Sequence, residues 1–137
     1  MPEVRKERTG WRDEALSLRH RVWGWDAPAV DIDFLMVEYD STEPKAVVEY
    51  KHEFSETQYA NRPSYKAIRK LCDRAKVAFL AVRYATDFSW WRVVPLNLKA
   101  KEFIKEDVIT LTEKDFVNLL YDIRGRKMPN DLFDIKI

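Results

Sequence analysis

The stretch "VDIDFLMVEYDSTEPKAVVEYK", residues 30–51, sets Asp31, Asp33, Glu49 and Lys51 on segments that otherwise read as buried strand. Carboxylates and backbone carbonyls are hard oxygen ligands suited to Mg²⁺ or Mn²⁺. A divalent ion held there can stabilise charge on a phosphodiester and acidify a bound water. The turn residues "DSTEP" at 40–44 join the two runs into a hairpin. With the turn centred at 41–43, Asp33 falls across from Glu49 to Lys51, and Asp31 lies further out. Side chains alternate along a strand, so Glu49 and Lys51 share one face while Val48 and Tyr50 take the other. The residues thus predict a cation site built from Asp33, Glu49 and the backbone carbonyl of Tyr50. Asp31 is the alternative to Asp33. Lys51 stands beside them, where it can orient the attacking water or hold the attacked phosphate.

The elements that must position these groups are legible from period and punctuation. A helix is expected over 9–23, with Thr9 as cap and Trp11, Ala15, Leu18 and Val22 as its apolar stripe. Asp13 points away from that stripe, and Glu14 borders it. Strands follow at 30–39 and 45–51, then a loop to about residue 62. Residues 63–75 form a second helix with Ala67, Ile68, Leu71, Cys72 and Ala75 as its apolar face. Arg62, Lys66, Arg69 and Lys70 make its basic face. "VAFLAVRY", 77–84, is a near-continuous apolar run that fits a central strand. "WWRVVPL", 90–96, is the return strand, with Pro95 near its end. The last helix follows Thr112 as N-cap, pairs Leu111 with Phe116 as a hydrophobic staple, and stops at Gly125. Its stripe is Phe116, Leu119, Leu120 and Ile123. The tail "NDLFDIKI" alternates like a strand and is suited either to an edge or to a partner subunit. Helices interleaved with strands imply an α/β layer structure with a mixed β-sheet flanked by helices.

Composition sets the bounds. A chain of 137 residues, 46% hydrophobic and 34% charged, fits one folded domain. One cysteine, Cys72, excludes an internal disulfide, and with only His20 and His52 beside it a structural zinc is not expected. Three glycines cannot build a phosphate loop, which excludes P-loop nucleotide chemistry. No run approaches a membrane span, and "MPEVRKERTGW" lacks the apolar core of a signal peptide, so a cytoplasmic location is expected. Net charge is only +1, but residues 26–56 carry nine acids against two lysines, which leaves the remainder at +8. An acidic centre in a basic frame suits a metal-dependent enzyme acting on a polyanion. The basic helix face and the arm Arg5, Lys6, Arg8 and Arg12 are the expected phosphate contacts. His52 alternates away from Lys51 and is assigned a structural or surface role. Trp23, Trp25, Trp90 and Trp91 are assigned mostly to core and subunit-interface packing, with base stacking as the alternative.

Asp33, Glu49 and Lys51 form a D-(x)n-E-x-K constellation that resembles the PD-(D/E)xK nuclease superfamily. Within it the chain is most similar to the archaeal-type Holliday-junction resolvases. "RTGWRDEALSLRHRVWGW" resembles the family's first helix, whose metal-site glutamate corresponds to Glu14. "AVDIDFLMVEYD" and "AVVEYKH" resemble its acid-bearing hairpin. "KLCDRAKVAFLAVRY", "WWRVVPLNL" and "ITLTEKDFVNLLYDIRGR" resemble the later helix–strand, strand and closing helix. The usual proline before the aspartate is replaced by Ile32. The resemblance implies a restriction-endonuclease-like fold, Mg²⁺ with Mn²⁺ as substitute, and a homodimer making paired nicks in four-way DNA junctions. It implies Glu14, Asp33, Glu49 and Lys51 as catalytic residues. The alternatives are a restriction- or repair-type nuclease of the same superfamily, a catalytically silent DNA-binding module, and a structural protein with a fortuitous E-x-K.

Overall fold

The computed structural model describes residues 14–55 and 62–134. The chain divides into two compact units, Met1–Asp31 with Phe133–Ile137, and Ile32–Leu132. In the first unit, α1 (Glu14–Trp23) ends in a turn in which the Asp26 and Ala27 amides both donate to the Trp23 carbonyl. The expected apolar stripe is not buried. No residue of α1 is, and Leu18 and Val22 stand open to solvent, because no described layer covers them. The start of the expected helix, with Thr9 and Trp11, lies outside the described residues.

The second unit is built on a five-stranded mixed sheet flanked by helices, as the element order predicts. β1 (Phe34–Glu38) pairs antiparallel with β2 (Glu43–His52). β2 pairs parallel with β3 (Ala78–Tyr84) through the crossover helix α2 (Pro63–Ala75). β4 (Trp91–Pro95) and β5 (Ile109–Leu111) complete the sheet antiparallel. Between them runs the short α3 (Leu98–Lys101), and α4 (Glu113–Arg124) closes the unit. The α/β architecture is compatible with a restriction-endonuclease-like fold.

Each face of the sheet has its own core. Ala46, Val48, Leu80, Val82 and Val93 pack against Phe116, Leu119 and Ile123 of α4. Val47 and Phe79, on the other face, pack against Tyr65, Ile68 and Cys72 of α2. The buried stripe of α2 is therefore rotated from the one expected. Tyr65 is inside, whereas Ala67, Leu71 and Ala75 are exposed, because an i, i+3, i+7 line suffices to cover two strands. α4 follows its signals: Thr112 Oγ1 accepts from the Asp115 amide, and Gly125 caps the end at φ 84°.

Two strand expectations are corrected, and two short elements are added. The first strand begins at Phe34 and not at residue 30, since side chains replace the backbone ladder at Asp33, as described below. α3 and β5 carried no sequence signal strong enough to be expected, as four and three residues show no period. The strand-like tail forms a 3-10 turn at Leu132–Asp134 instead, and residues 135–137 lie outside the described set.

Candidate metal centre

The hairpin register pairs Phe34 with Val48. This brings Asp33, one residue before the strand, beside Glu49. The two residues lock to each other through main chain. The Asp33 amide donates to Glu49 Oε2 at 2.8 Å, and the Tyr50 amide donates to Asp33 Oδ2 at 2.9 Å. Each carboxylate thus stands in for a carbonyl that the ladder would have supplied, which is why β1 starts after Asp33. In a strand the N–H and C=O of one residue point to the same edge. The Tyr50 carbonyl therefore opens toward the edge where its amide meets Asp33. Two carboxylates thus meet at the start of β1, with the Tyr50 carbonyl on the same edge of β2.

Glu49 continues the face of Val47, against α2, and is only 4% exposed. Its carboxyl is raised to about 7: burial is the main cause, the hydrogen bond from the Asp33 amide opposes it, the Asp33 charge raises it, and Lys51 pulls the other way. The influence of the site extends outward. Burial, then the charges of Asp73 and Glu49, raises the Cys72 thiol to about 11. Burial, then the charge of Asp33, raises the Tyr50 phenol to about 12. Lys51 lies half-buried two residues beyond Glu49 on the same face. Tyr50 faces the other way, among Phe34, Trp91 and Phe116, with ring centroids 5.4–6.4 Å away.

The donor set fits a hard divalent cation. Mg²⁺ is commonly held by one or two carboxylates with water and substrate phosphate completing the shell. Among the described residues, no group of three or more His, Cys, Asp or Glu side chains is placed to hold a metal. The pair Asp33–Glu49 is what the structure assembles. Glu14 is exposed in the first turn of α1, in the other unit, and α1 has no buried face for it to border, so as a ligand it is now only what the resemblance implies. Asp31 also belongs to that unit, where it lines a groove with His20 and Arg21.

The remaining expected residues are placed as follows. Arg62, Lys66, Arg69 and Lys70 are all exposed on α2, and Arg69 borders a groove of about 370 Å³ with Asp73, Leu96 and Lys101. Arg5, Lys6, Arg8 and Arg12 lie outside the described residues. His52 does turn from the carboxylates. Its Nδ1 accepts from the Phe54 amide at 3.3 Å, and its Nε2 meets Thr86 Oγ1 at 2.9 Å. With both ring nitrogens occupied, it is a structural residue. Trp91 is partly buried against the core, stacked on Phe116 at 4.8 Å, whereas Trp23 and Trp25 are exposed and do not pack as expected.

Sequence reasoning missed Arg83 and Arg92, which share the face of Lys51. It also missed the clamp on Glu38. That buried carboxylate receives Arg124 Nε at 2.7 Å and Arg126 at 3.1 Å, which tie the end of α4 to β1. No single-strand pattern could signal either.

Compared with family models, curated proteins and solved structures, the chain matches none. No described helix is long and apolar enough to cross a membrane.

Proposed function

We propose that this protein is a Mg²⁺-dependent DNA endonuclease of the PD-(D/E)xK type that cuts four-way junctions as a homodimer. The observation that carries the reading is the reciprocal lock of Asp33 and Glu49, with the Tyr50 main chain between them and Lys51 on Glu49's face. A bound Mg²⁺ would supply the charge that stabilises the attacked phosphate and lowers the pKa of the attacking water. Asp33 and Glu49 would hold it, each with one oxygen already fixed by a backbone amide, so the pair needs little reorganisation. Lys51 positions the water or the phosphate from the same face. The described residues of one chain offer one such pair, and resolving a junction takes two coordinated nicks. A two-fold dimer supplies the second centre.

The test is incubation with a labelled four-way junction and a matched linear duplex, with Mg²⁺ or with EDTA. Paired nicks in the junction, only with the metal, are expected. Equal cutting of the linear duplex would replace the resolvase reading with a restriction- or repair-type nuclease. No cutting of any DNA with Mg²⁺ or Mn²⁺ overturns the enzyme reading. Sedimentation at micromolar concentration is expected to give a dimer, and a monomer would count against paired nicking.

A further inference from the structure

The sheet face that carries Glu49 continues sideways as a row of cations. In register, Lys51 on β2 lies beside Arg83 on β3, and Arg83 lies beside Arg92 on β4. Directly opposed residues in a sheet share a face. The packing agrees: Val82, Trp91 and Val93, the chain neighbours of these arginines, all belong to the core under α4, so Arg83 and Arg92 face the α2 side. Strands lie about 4.8 Å apart, which puts Lys51 and Arg92 about 10 Å from each other. The next residue across, on β5, is Thr110, so no acid interrupts the row. α2 does not cover this end of the sheet. Arg92 and Thr110 are exposed, and Lys51 and Arg83 are half-buried.

The two arginines are employed differently. Arg83 donates to the carbonyls of His52, Glu53 and Ser55, and so fixes the segment that leaves β2. Arg92 has no ion pair among the described residues. Its guanidinium lies 5.0 Å from the centroid of the Trp90 ring. Cation–π attraction to the indole holds the guanidinium near the ring without using its N–H donors. An exposed guanidinium with no ion pair among the described residues matches a phosphate, which it can grip with two hydrogen bonds.

We propose that Arg92, seated on Trp90, binds a backbone phosphate of the substrate strand as that strand leaves the acid pair along Lys51, Arg83 and Arg92. The inference rests on reading Asp33 and Glu49 as a phosphodiester-cleaving centre, and it sets the path of the strand from there. The path crosses β2, β3 and β4 rather than the outer face of α2. It reads backbone and not base, so it serves any sequence.

The test measures binding of a fluorescent junction and duplex to the D33N protein across a salt series, so that cleavage does not intervene. Adding R92A should weaken binding roughly 5–10-fold near 100 mM salt and lower the salt slope by about one. R92K keeps the charge, so it should restore the slope while recovering only part of the affinity. It also serves as the measurable variant if R92A fails to fold. K114A removes one charge from exposed α4, on the opposite side of the sheet, and should leave affinity as it was. In otherwise wild-type protein, R92A should lose rate at limiting enzyme and regain most of it at saturation. R92A with the parent's affinity and slope, or K114A weakening binding as much, overturns the lane. If the parent cuts DNA and R92A is indifferent, only the lane fails. If the parent neither binds nor cuts DNA, the acid-pair reading fails with it.

Discussion

Two buried glutamates sit at opposite ends of the same hairpin, and the protein treats them in opposite ways. Glu38 ends β1 under two arginines and also accepts the Asp40 amide at 3.0 Å. The hydrogen bond from Arg124 is the main cause that holds its carboxyl below the ordinary value. Glu49, near the other end, receives one backbone amide and faces an aspartate, and its burial pushes the carboxyl up to about 7. Glu38 is neutralised by the chain's own cations and fastens α4 to the sheet. Glu49 is left facing a like charge. A buried acid whose folded environment raises its pKa, beside a second acid and a lysine, is the pattern of a candidate functional site. A buried acid fully answered by arginine is the pattern of a fastening.

Substitutions can break or sharpen this contrast. The largest effect is expected from D33N, which should reduce Mg²⁺-dependent cleavage by roughly a thousandfold or more while DNA affinity stays within a few fold. A D33N protein that still cuts at the parent's rate would move the centre elsewhere. K51A comes next, with a loss of roughly a hundredfold in single-turnover rate at saturating enzyme and a near-normal Kd. A retained rate would make Lys51 an ordinary charge.

The two glutamates should also differ in the sign of their pH dependence. R124A removes the main partner of Glu38 and should lower Tm by several degrees at pH 7. Because the folded pKa of Glu38 is depressed, its stabilisation is present above about 4.5 and lost as pH falls through the folded value. The Tm gap between parent and R124A should therefore shrink in acid. E49Q should do the reverse in EDTA. Ionised Glu49 costs stability only in the fold, so the cost grows from about pH 4.5 and is complete above about 7. E49Q should melt a few degrees above the parent at pH 8 and level with it at pH 4. Adding Mg²⁺ should close the gap at pH 8 by stabilising the parent alone. A gap that does not change with pH would mean that Glu49 carries no raised pKa.

Much of this was readable in the chain because the signals are local. α2 begins at Pro63 and ends at Ala75 where composition placed it, and Thr112 and Gly125 bracket α4. The hairpin turn and the alternation around it put Asp33 beside Glu49. The parts that were not readable depend on distant partners. Glu38 looks like any strand-end acid until Arg124 arrives from 86 residues away. Arg83 and Arg92 become a row with Lys51 only through the pairing of β3 with its two neighbours. The burial of Tyr65 in place of Leu71 is decided by how α2 lies on the sheet, which its own periodicity leaves open by about one residue in rotation.

The strand order β1-β2-β3-β4-β5 follows the chain, so every neighbour in the sheet is also a neighbour in sequence. Closing a loop costs more entropy the longer the loop, and nearby contacts form soonest. Asp33 and Glu49 are sixteen residues apart, on a hairpin that needs no other element to set its register. The clamp of Arg124 on Glu38 must wait for nearly the whole sheet. Folding is thus expected to bring the two carboxylates together among its first events and to fasten the closing helix among its last.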